Sequence, residues 1–179
     1  MVIYGIVGRP KLRLGAGKST LETWFAFVYN QKFGQTIRAN YHIKKDGAIF
    51  LNNPREVLDV YNSIIVIDDI YRWLGFNNAN AKKFGKLMMG ELRHHNNNLV
   101  WGSSRLKDYV HPTIRQHTDY MIFPHYNKKQ QTLTIDYILD AEGEVINGVI
   151  PRFFPTKLLK YLWSKYNHRE DIQVCPGYF

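Results

Sequence analysis

The stretch Gly15-Ala16-Gly17-Lys18-Ser19-Thr20 decides the fold, because it joins a strand-like segment at residues 2–7 to a helical pattern that begins near Lys18. Glycines let successive backbone N–H groups turn towards a phosphate without a Cβ in the way. The start of the helix adds the positive end of its dipole at the same place. Strand, loop and helix in this order predict a phosphate-binding loop.

The chemistry of the motif assigns a role to each of its residues. All six, from Gly15 and Ala16 to Thr20, are predicted to contact the phosphates of a nucleotide, with Lys18 reaching the β- and γ-phosphates and Ser19 coordinating Mg²⁺. Leu12 stands where the usual spacing has a glycine, so the loop is longer than usual. The extra residues, at 11–14, either cover the nucleotide, contact a neighbouring subunit, or extend the loop without a role of their own.

The second motif is acidic. Asp68 and Asp69 directly follow a continuous apolar run at residues 64–67. Carboxylates at the carboxyl end of a buried strand lie where α/β sheets bind ligands. We expect Asp68 to orient Mg²⁺ and Asp69 to act as the general base towards water. A solvated turn or helix cap would give the same pair, but the phosphate loop upstream favours the catalytic interpretation.

The strand predicted at residues 98–102 ends in two serines. Such a strand, placed between the two nucleotide motifs, can present a small polar group to the γ-phosphate. Ser104 is the first candidate for this sensor and Ser103 the second, and a loop that simply begins with two serines is an equal alternative.

The chain of 179 residues is 45% hydrophobic, which suits a single domain over residues 1–179. Short apolar runs alternate with helical patterns, so we predict an α/β fold with a mostly parallel sheet flanked by helices. Its end is predicted as a β-hairpin, at 132–139 and 145–149, followed by a helix at 155–166. Nearer the start, residues 48–51 are predicted to pair with a strand at 36–41 as a short hairpin, and Asn53-Pro54 to open a helix that buries Val57, Leu58 and Tyr61. Residues 80–95 are predicted to form an amphipathic helix whose apolar side faces the core, with apolar groups at Ala81, Phe84, Leu87, Met88 and Leu92.

The net charge of +9 and the pI near 9.6 favour a polyanionic partner. Nucleic acid is the usual one, an anionic membrane surface is a weaker option, and simple solvation of the surface remains an alternative. Lys82, Lys83 and Lys86 lie along one predicted helix and suit phosphate contacts or a solvated face equally. The basic, aromatic segment 71–76 could contact DNA or a neighbouring subunit, or fold back onto the sheet.

Localisation follows from two further features of the sequence. The single cysteine, Cys175, excludes an internal disulfide framework and fits a reducing compartment. No apolar run approaches the roughly 20 residues that span a bilayer. We therefore expect no stable membrane insertion and a cytoplasmic protein, in the host cytoplasm or associated with a virion if the chain is viral.

The order of these motifs resembles the FtsK–HerA superfamily of DNA-pumping ATPases, and most closely its small viral members, the genome-packaging ATPases and the zonula-occludens-toxin-like morphogenesis proteins. The resemblance includes segments 91–93, 98–105 and 112–115, and the segment 165–170 after the core. It implies a RecA-like core that binds ATP and Mg²⁺ and works on double-stranded DNA as a homo-oligomeric ring, commonly a hexamer. Each site in such a ring is completed by an arginine of a neighbouring subunit, for which Arg93, Arg105 and Arg115 are positional candidates. The family usually has glutamine where Ser104 stands.

Two other functions remain open on the sequence alone. A small nucleotide kinase would need an arginine-rich lid and an acceptor pocket, which the sequence does not indicate. A nucleotide-switched binding or morphogenesis module would bind ATP but turn it over slowly. The guanine-reading Asn-Lys-x-Asp motif is absent from the sequence, which favours ATP over GTP.

Overall fold

The computed structural model describes residues 1–8, 17–74, 81–104, 109–148 and 150–166, and within the third range it describes only the backbone at positions 81 and 84. These residues form nine strands and four α-helices. In chain order they are β1 (Ile3–Val7), α1 (Lys18–Phe33), β2 (Thr36–Ala39), β3 (Ile49–Phe50), β4 (Ser63–Ile67), α2 (Ala81–His94), β5 (Asn98–Ser103), α3 (Pro112–Gln116), β6 (Tyr120–Asn127), β7 (Thr132–Leu139), β8 (Val145–Ile146), β9 (Phe153–Phe154) and α4 (Thr156–Trp163). Short 3₁₀ helices cover Pro54–Val57 and Ile70–Arg72.

All nine strands belong to one sheet, in the order β3-β2-β4-β5-β1-β6-β7-β8, with β9 also paired to β7. The strands from β3 to β6 run parallel, and β7 begins an antiparallel extension at one side. Helices lie on both faces of the parallel part. The predicted α/β class, the mostly parallel sheet and the closing hairpin and helix are therefore confirmed.

Strand β5 lies between β1, which leads into the phosphate loop, and β4, which leads into the acidic pair. Val7 at the end of β1 pairs with Ser103, and Ile67 at the end of β4 pairs with Trp101. The carboxyl ends of the three strands therefore meet at one edge of the sheet. This arrangement places the two predicted motifs side by side, with the end of β5 between them.

The sheet separates two hydrophobic cores, which we call the α1 face and the α2 face. On the α1 face, helices α1 and α4 cover a core rich in aromatic side chains, including Phe25, Tyr29 and Phe154. On the α2 face, helices α2 and α3 cover a mainly aliphatic core around Trp101 and Met88. Helix α1 is enclosed by the sheet and α4, so eight of its 16 residues are buried.

The prediction of a hairpin between β2 and β3 is wrong, because the two strands run parallel. The connecting residues do not make a tight turn. Ile43 forms an isolated bridge with Tyr166, and the Lys44 N–H donates to the Lys165 carbonyl oxygen at 2.6 Å. The segment thus passes beside the end of α4 before it returns in the direction of β2.

The burial predicted for two residues, Tyr61 and Leu87, is also wrong. Tyr61 is 65% exposed, and Leu87 is 48% exposed on the outer side of α2. The segment after Asn53 forms a 3₁₀ helix, and the Asn53 side chain caps it by accepting from the Arg55 N–H. In a single 3₁₀ turn the side chains recur every third residue, so Val57 reaches the core but Tyr61 does not. No helix among the described residues is long and apolar enough to cross a membrane.

Candidate functional site

The phosphate loop ends at Gly17, which forms the N-cap of α1 with φ 84° and ψ 16°. This left-handed conformation suits glycine. The space is equally restrictive, because a Cβ on Gly17 would stand 2.4 Å from Cδ1 of Leu133 on β7. Gly15 and Ala16 lie outside the described residues, as does the insertion at 11–14.

Two residues at the start of α1 reach the acidic pair at the end of β4. The Ser19 Oγ donates a hydrogen bond to Asp68 Oδ2 at 2.5 Å. The Lys18 Nζ lies 4.0 Å from Asp68 Oδ1 and 3.8 Å from Asp69 Oδ1. The fold thus brings together four of the predicted site residues from positions 50 apart in the sequence.

Asp68 is fixed by a reciprocal pair of bonds to Asn40, the residue after β2. The Asn40 Nδ2 donates to the Asp68 carbonyl oxygen, and the Asp68 N–H donates to Asn40 Oδ1, both at 2.8 Å. Asn40 is 2% exposed, so this amide clamp is buried. It holds the end of β4 at a defined distance from β2 and thereby orients the carboxylate of Asp68.

Asp69 follows in a left-handed conformation with φ 49°, which aspartate tolerates better than most residues. Its Oδ2 accepts a hydrogen bond from the Tyr71 hydroxyl at 3.3 Å and lies 3.7 Å from Arg72 Nε. The first residues of segment 71–76 therefore support Asp69, while positions 75 and 76 lie outside the described part of the chain. Trp73 and Leu74 pack into the core of the α2 face, as the third alternative for this segment proposed.

In the site, several carboxylates surround the ammonium group of one lysine, Lys18. Burial alone lowers the pKa of Lys18, but the carboxylates of Asp68, Glu22 and Asp69 outweigh it, so this pKa lies above its usual value. Burial, and then the charge of Asp68, raise the pKa of Asp69 against the opposing effects of Lys18 and Arg72. A carboxylate with a raised pKa is a better proton acceptor, which is the property required of a general base.

Glu22 is the main residue that the sequence analysis missed. It lies one helical turn after Lys18, is 0% exposed, and has a pKa that burial and the charge of Asp68 raise well above its usual range. A glutamate at the i+4 position of the motif lysine, between Leu21 and Phe25, was the available signal. Asn40 gave no signal in the sequence, where it falls inside the strand predicted at 36–41.

Thr20 contacts the C-terminal part of the chain. Its Oγ1 accepts a hydrogen bond from Trp163 Nε1 at 3.1 Å and lies 2.8 Å from the Tyr166 hydroxyl. The side chain of Thr20 is thereby engaged within the protein, whereas its backbone N–H belongs to the first turn of α1. The phosphate contact predicted for Thr20 stays a prediction.

The two serine candidates lie at the predicted edge but differ in burial. Ser103 is 0% exposed and ends β5, with its carbonyl oxygen accepting from the Gly8 N–H at 2.9 Å. Ser104 follows it and is half-buried at the carboxyl edge between β1 and β4. This position is compatible with the sensor role predicted for Ser104, which stays a prediction.

Two of the three arginine candidates, Arg93 and Arg115, lie on helices of the α2 face. Arg115 is on α3, on the α2 face, while Lys18 is on α1 at the other face of the sheet. Arg93 is on the last turn of α2, and Arg105 lies outside the described residues. Their contribution to a neighbouring subunit's site stays a prediction.

The donor set at Ser19 and Asp68 fits Mg²⁺. A hydroxyl and a carboxylate oxygen, 2.5 Å apart, are hard oxygen ligands of the kind this ion prefers. Among the described residues no group of three or more His, Cys, Asp or Glu side chains could hold a metal ion. A Mg²⁺ ion here would therefore keep several waters or phosphate oxygens as ligands, as is usual for it.

A central parallel sheet with a phosphate loop after β1, an acidic pair after β4 and β5 inserted between them defines a RecA-like P-loop NTPase fold. Solved structures of this class are similar to most of the chain. The genome-packaging NTPase B204 of Sulfolobus turreted icosahedral virus 2, in complex with AMPPCP, matches with a TM-score of 0.55 and 11% identity over 84% of this chain and 98% of that one. The N-terminal domain of zonular occludens toxin from Neisseria meningitidis matches with a TM-score of 0.58 and 12% identity over 93% and 98%.

The flagellar accessory protein FlaH from Methanocaldococcus jannaschii has a TM-score of 0.53 and 10% identity over 82% of this chain and 90% of that one. No family model and no curated protein sequence matches the chain. The predicted resemblance to viral packaging ATPases and zonula-occludens-toxin-like proteins is confirmed at the level of the fold.

Proposed function

We propose that the chain is a Mg²⁺-dependent ATPase that couples hydrolysis to work on double-stranded DNA, in viral genome packaging or extrusion. The observation that carries the proposal is the convergence of Lys18 and Ser19 on Asp68 and Asp69, with the Ser19 hydroxyl bonded to Asp68 at 2.5 Å. The solved structures with this fold include an NTPase that packages a viral genome.

Each residue has a defined part in the reaction. The backbone N–H groups of the loop, ending at Gly17, hold the β-phosphate, and Lys18 neutralises charge on the β- and γ-phosphates. Ser19 and Asp68 hold Mg²⁺, which supplies Lewis-acid stabilisation of the phosphate charge when bound. Asp69 orients a water molecule and accepts its proton as the water oxygen bonds to the γ-phosphorus. The bond from that phosphorus to the β,γ-bridging oxygen breaks, giving ADP and phosphate.

The partner is DNA because the surface beside the site is basic. Lys128 and Lys129 form the turn between β6 and β7, and the Thr156 hydroxyl donates to the Gln131 carbonyl oxygen at 2.9 Å, which brings the start of α4 next to that turn. Lys157 and Lys160 follow on α4, and all four lysines are exposed. We call these four lysines the hairpin patch. Segments 120–135 and 145–166 contain no Asp or Glu.

The hairpin patch lies on the same edge of the sheet as the phosphate loop. Strand β6 runs parallel to β1 and continues past its end, and Leu133 beyond the turn packs against Gly17. Exposed lysines without acidic neighbours attract a phosphate backbone by releasing its counterions. The exposed α2 lysines, Lys82, Lys83 and Lys86, are the competing surface on the other face.

The site is completed in an oligomer, which we propose to be a ring in which Arg115 serves the site of the neighbouring subunit. Arg115 Nε is buried and has no hydrogen-bond partner among the described residues. An arginine that stabilises the transferred phosphoryl group in trans contributes on the order of 10³-fold or more to turnover. We expect Arg115→Ala to lose this contribution while ATP affinity stays near that of the wild type.

Steady-state ATP hydrolysis with and without double-stranded DNA tests the proposal. Lys18→Ala and Asp69→Asn should each lower turnover by about 100-fold or more, since each removes a group that acts on the transferred phosphate. Lys32→Ala on the last turn of α1 and Asp46→Asn on an exposed turn are the matched controls. DNA should stimulate the wild type, and Lys→Gln at the hairpin patch should remove that stimulation.

Two results would contradict the proposal. ATP binding without turnover, with or without DNA, would point to a nucleotide-switched binding module. Loss of DNA stimulation on Lys→Gln at the α2 lysines, with the hairpin patch variant normal, would move the DNA contact to the opposite face of the sheet.

A further inference from the structure

Glu22 is a buried acid whose carboxyl group has no hydrogen-bond partner in the part of the chain that the structure describes. It lies on α1 one turn after Lys18, and its exposed fraction is 0%. An unpaired carboxyl group in the interior destabilises the folded state. Native proteins keep such groups rarely, and each one calls for an explanation in terms of function or of a missing partner.

The carboxyl of Glu22 lies against Gly102 of β5, beside the carboxylate of Asp68. A Cβ on Gly102 of β5 would stand 1.9 Å from Glu22 Oε1 and 3.1 Å from Asp68 Oδ1. The two carboxyl groups therefore approach the same point on β5, and only a glycine leaves room for them. Asp68 Oδ2 accepts the hydrogen bond from Ser19, while Asp68 Oδ1 faces the same point on Gly102 as Glu22 Oε1. The side chain of Asp68 therefore connects Ser19 with the carboxyl of Glu22.

We propose that Glu22 is a further acidic residue of the Mg²⁺ site and that it acts on the ion through the ion's bound water. This inference rests on the proposed function, because it assumes a Mg²⁺–nucleotide complex at Ser19 and Asp68. Mg²⁺ gives up its water reluctantly and is usually held by one or two carboxylates, so a further carboxylate at a longer distance bonds to the ion's water. Such outer contacts orient the inner ligands and raise metal affinity.

The alternative is that Glu22 serves Lys18 alone. The two residues are four positions apart on one helix, and the carboxyl raises the pKa of the lysine. A glutamate with that structural role would change nucleotide affinity to the same extent with and without metal. A glutamate that belongs to the metal site would change affinity only when Mg²⁺ is present, and this difference separates the two roles.

The experiment measures binding of AMPPCP, which is not hydrolysed, at a series of Mg²⁺ concentrations and in EDTA. For Glu22→Gln we expect the half-saturating Mg²⁺ concentration to rise about tenfold or more, since lost outer-sphere contacts typically cost about 10- to 100-fold in metal affinity. The Kd in EDTA should stay the same or become lower. Glu91→Gln, on α2 and paired with His95 at 3.3 Å, removes a carboxylate elsewhere and should behave as the wild type.

Glu22→Asp keeps the charge and should hold the Mg²⁺ requirement between those of the wild type and Glu22→Gln, which provides a second reading if Glu22→Gln does not fold. An unchanged Mg²⁺ requirement in both variants, or equal weakening with and without Mg²⁺, would overturn the inference and leave the ATPase proposal standing. A wild-type protein that binds AMPPCP under neither condition would overturn both.

Discussion

The two faces of the sheet are built in different ways. On the α1 face, side-chain hydroxyls form pairs across the core: Tyr4 with Tyr29 at 3.0 Å, Thr23 with Tyr41 at 3.1 Å, and Thr20 with Tyr166 at 2.8 Å. On the α2 face, the core is mainly Ile, Leu, Val and Met, whose side chains pack without directional bonds, although Trp101 Nε1 donates a hydrogen bond to Thr118 Oγ1 at 3.1 Å.

This difference between the two cores corresponds to the side chains that helices α1 and α2 carry. Helix α1 presents Lys18, Ser19 and Glu22 to the phosphate edge, and a catalytic group misplaced by 1 Å can lose about 100-fold in rate. Hydrogen bonds fix direction as well as distance, so they hold the first turns of α1 in one orientation. Helix α2 has exposed lysines and an exposed Leu87 on its outer side, for which apolar packing against the sheet is sufficient. The faces therefore differ in how strictly their helices must be placed.

Among the variants that compare the two faces, we expect the largest loss of stability for Gly102→Ala, on β5 beneath α1. The new Cβ would meet Glu22 Oε1 at 1.9 Å, and Glu22 is held between the helix and the sheet. Overpacking of this kind typically destabilises by about 1–3 kcal/mol, and we expect the upper end here because a buried carboxyl has to move. Urea unfolding of the nucleotide-free protein measures the loss.

The double variant Gly102→Ala, Glu22→Ala tests whether this contact is the cause. Removal of the carboxyl should recover at least about half of the lost stability, since the two positions are in contact and their effects do not add. If Gly102→Ala unfolds like the wild type, the Glu22 carboxyl does not occupy the position that the clash requires, and the proposed Mg²⁺ role loses its geometric support.

Much of the fold could be predicted from the sequence because its signals are local. The apolar runs of β1, β4 and β5 and the Gly-Lys-Ser loop each fix an element and its place in a parallel sheet. The same signals gave Lys18, Ser19, Asp68 and Asp69 as one site, and the structure brings these four together. Their catalytic roles remain predictions.

The rest depended on long-range contacts. The parallel pairing of β3 follows from contacts between residues 43–44 and the end of α4, more than 100 residues away in sequence. In the sequence, Glu22 is one polar position on a helix that is otherwise expected to pack on the sheet. Its contact with Gly102 of β5 becomes visible only in the structure. Tyr61 and Leu87 fit an apolar pattern but are exposed. Their exposure could not be predicted, because the period of a pattern alone does not show which side of an element is covered.

An intermediate effect is expected for Thr20→Val, and the α2 face provides a close control. Thr20 Oγ1 accepts from Trp163 Nε1, and on the other face Thr118 Oγ1 accepts from Trp101 Nε1, both at 3.1 Å. Each Thr→Val change removes a buried hydrogen-bonding hydroxyl and should destabilise by about 1–2 kcal/mol. Only Thr20→Val should also weaken AMPPCP binding, by about three- to tenfold, because Thr20 lies in the first turn of α1.

Calorimetry of both variants with AMPPCP measures the two effects separately. Equal weakening of nucleotide binding in Thr118→Val would mean that both faces position the site. No weakening in Thr20→Val would mean that the backbone of α1 stays in place without this hydroxyl, and the argument for directional bonds on the α1 face would fail.

The smallest effect, of opposite sign, is expected for Gly90→Ala on the α2 face. Gly90 lies inside α2, and a Cβ there would meet nothing within 4 Å, in contrast to Gly102 beneath α1. Alanine in a helix interior is favoured over glycine by about 0.5–1 kcal/mol, so Gly90→Ala should raise the free energy of unfolding by up to that amount. Urea unfolding of the isolated chain measures the gain, and a loss of stability instead would show that the outer side of α2 is packed against another part of the chain. A gain in stability together with weaker self-association would place a neighbouring subunit on this side of α2, which is the side of the sheet that presents Arg115.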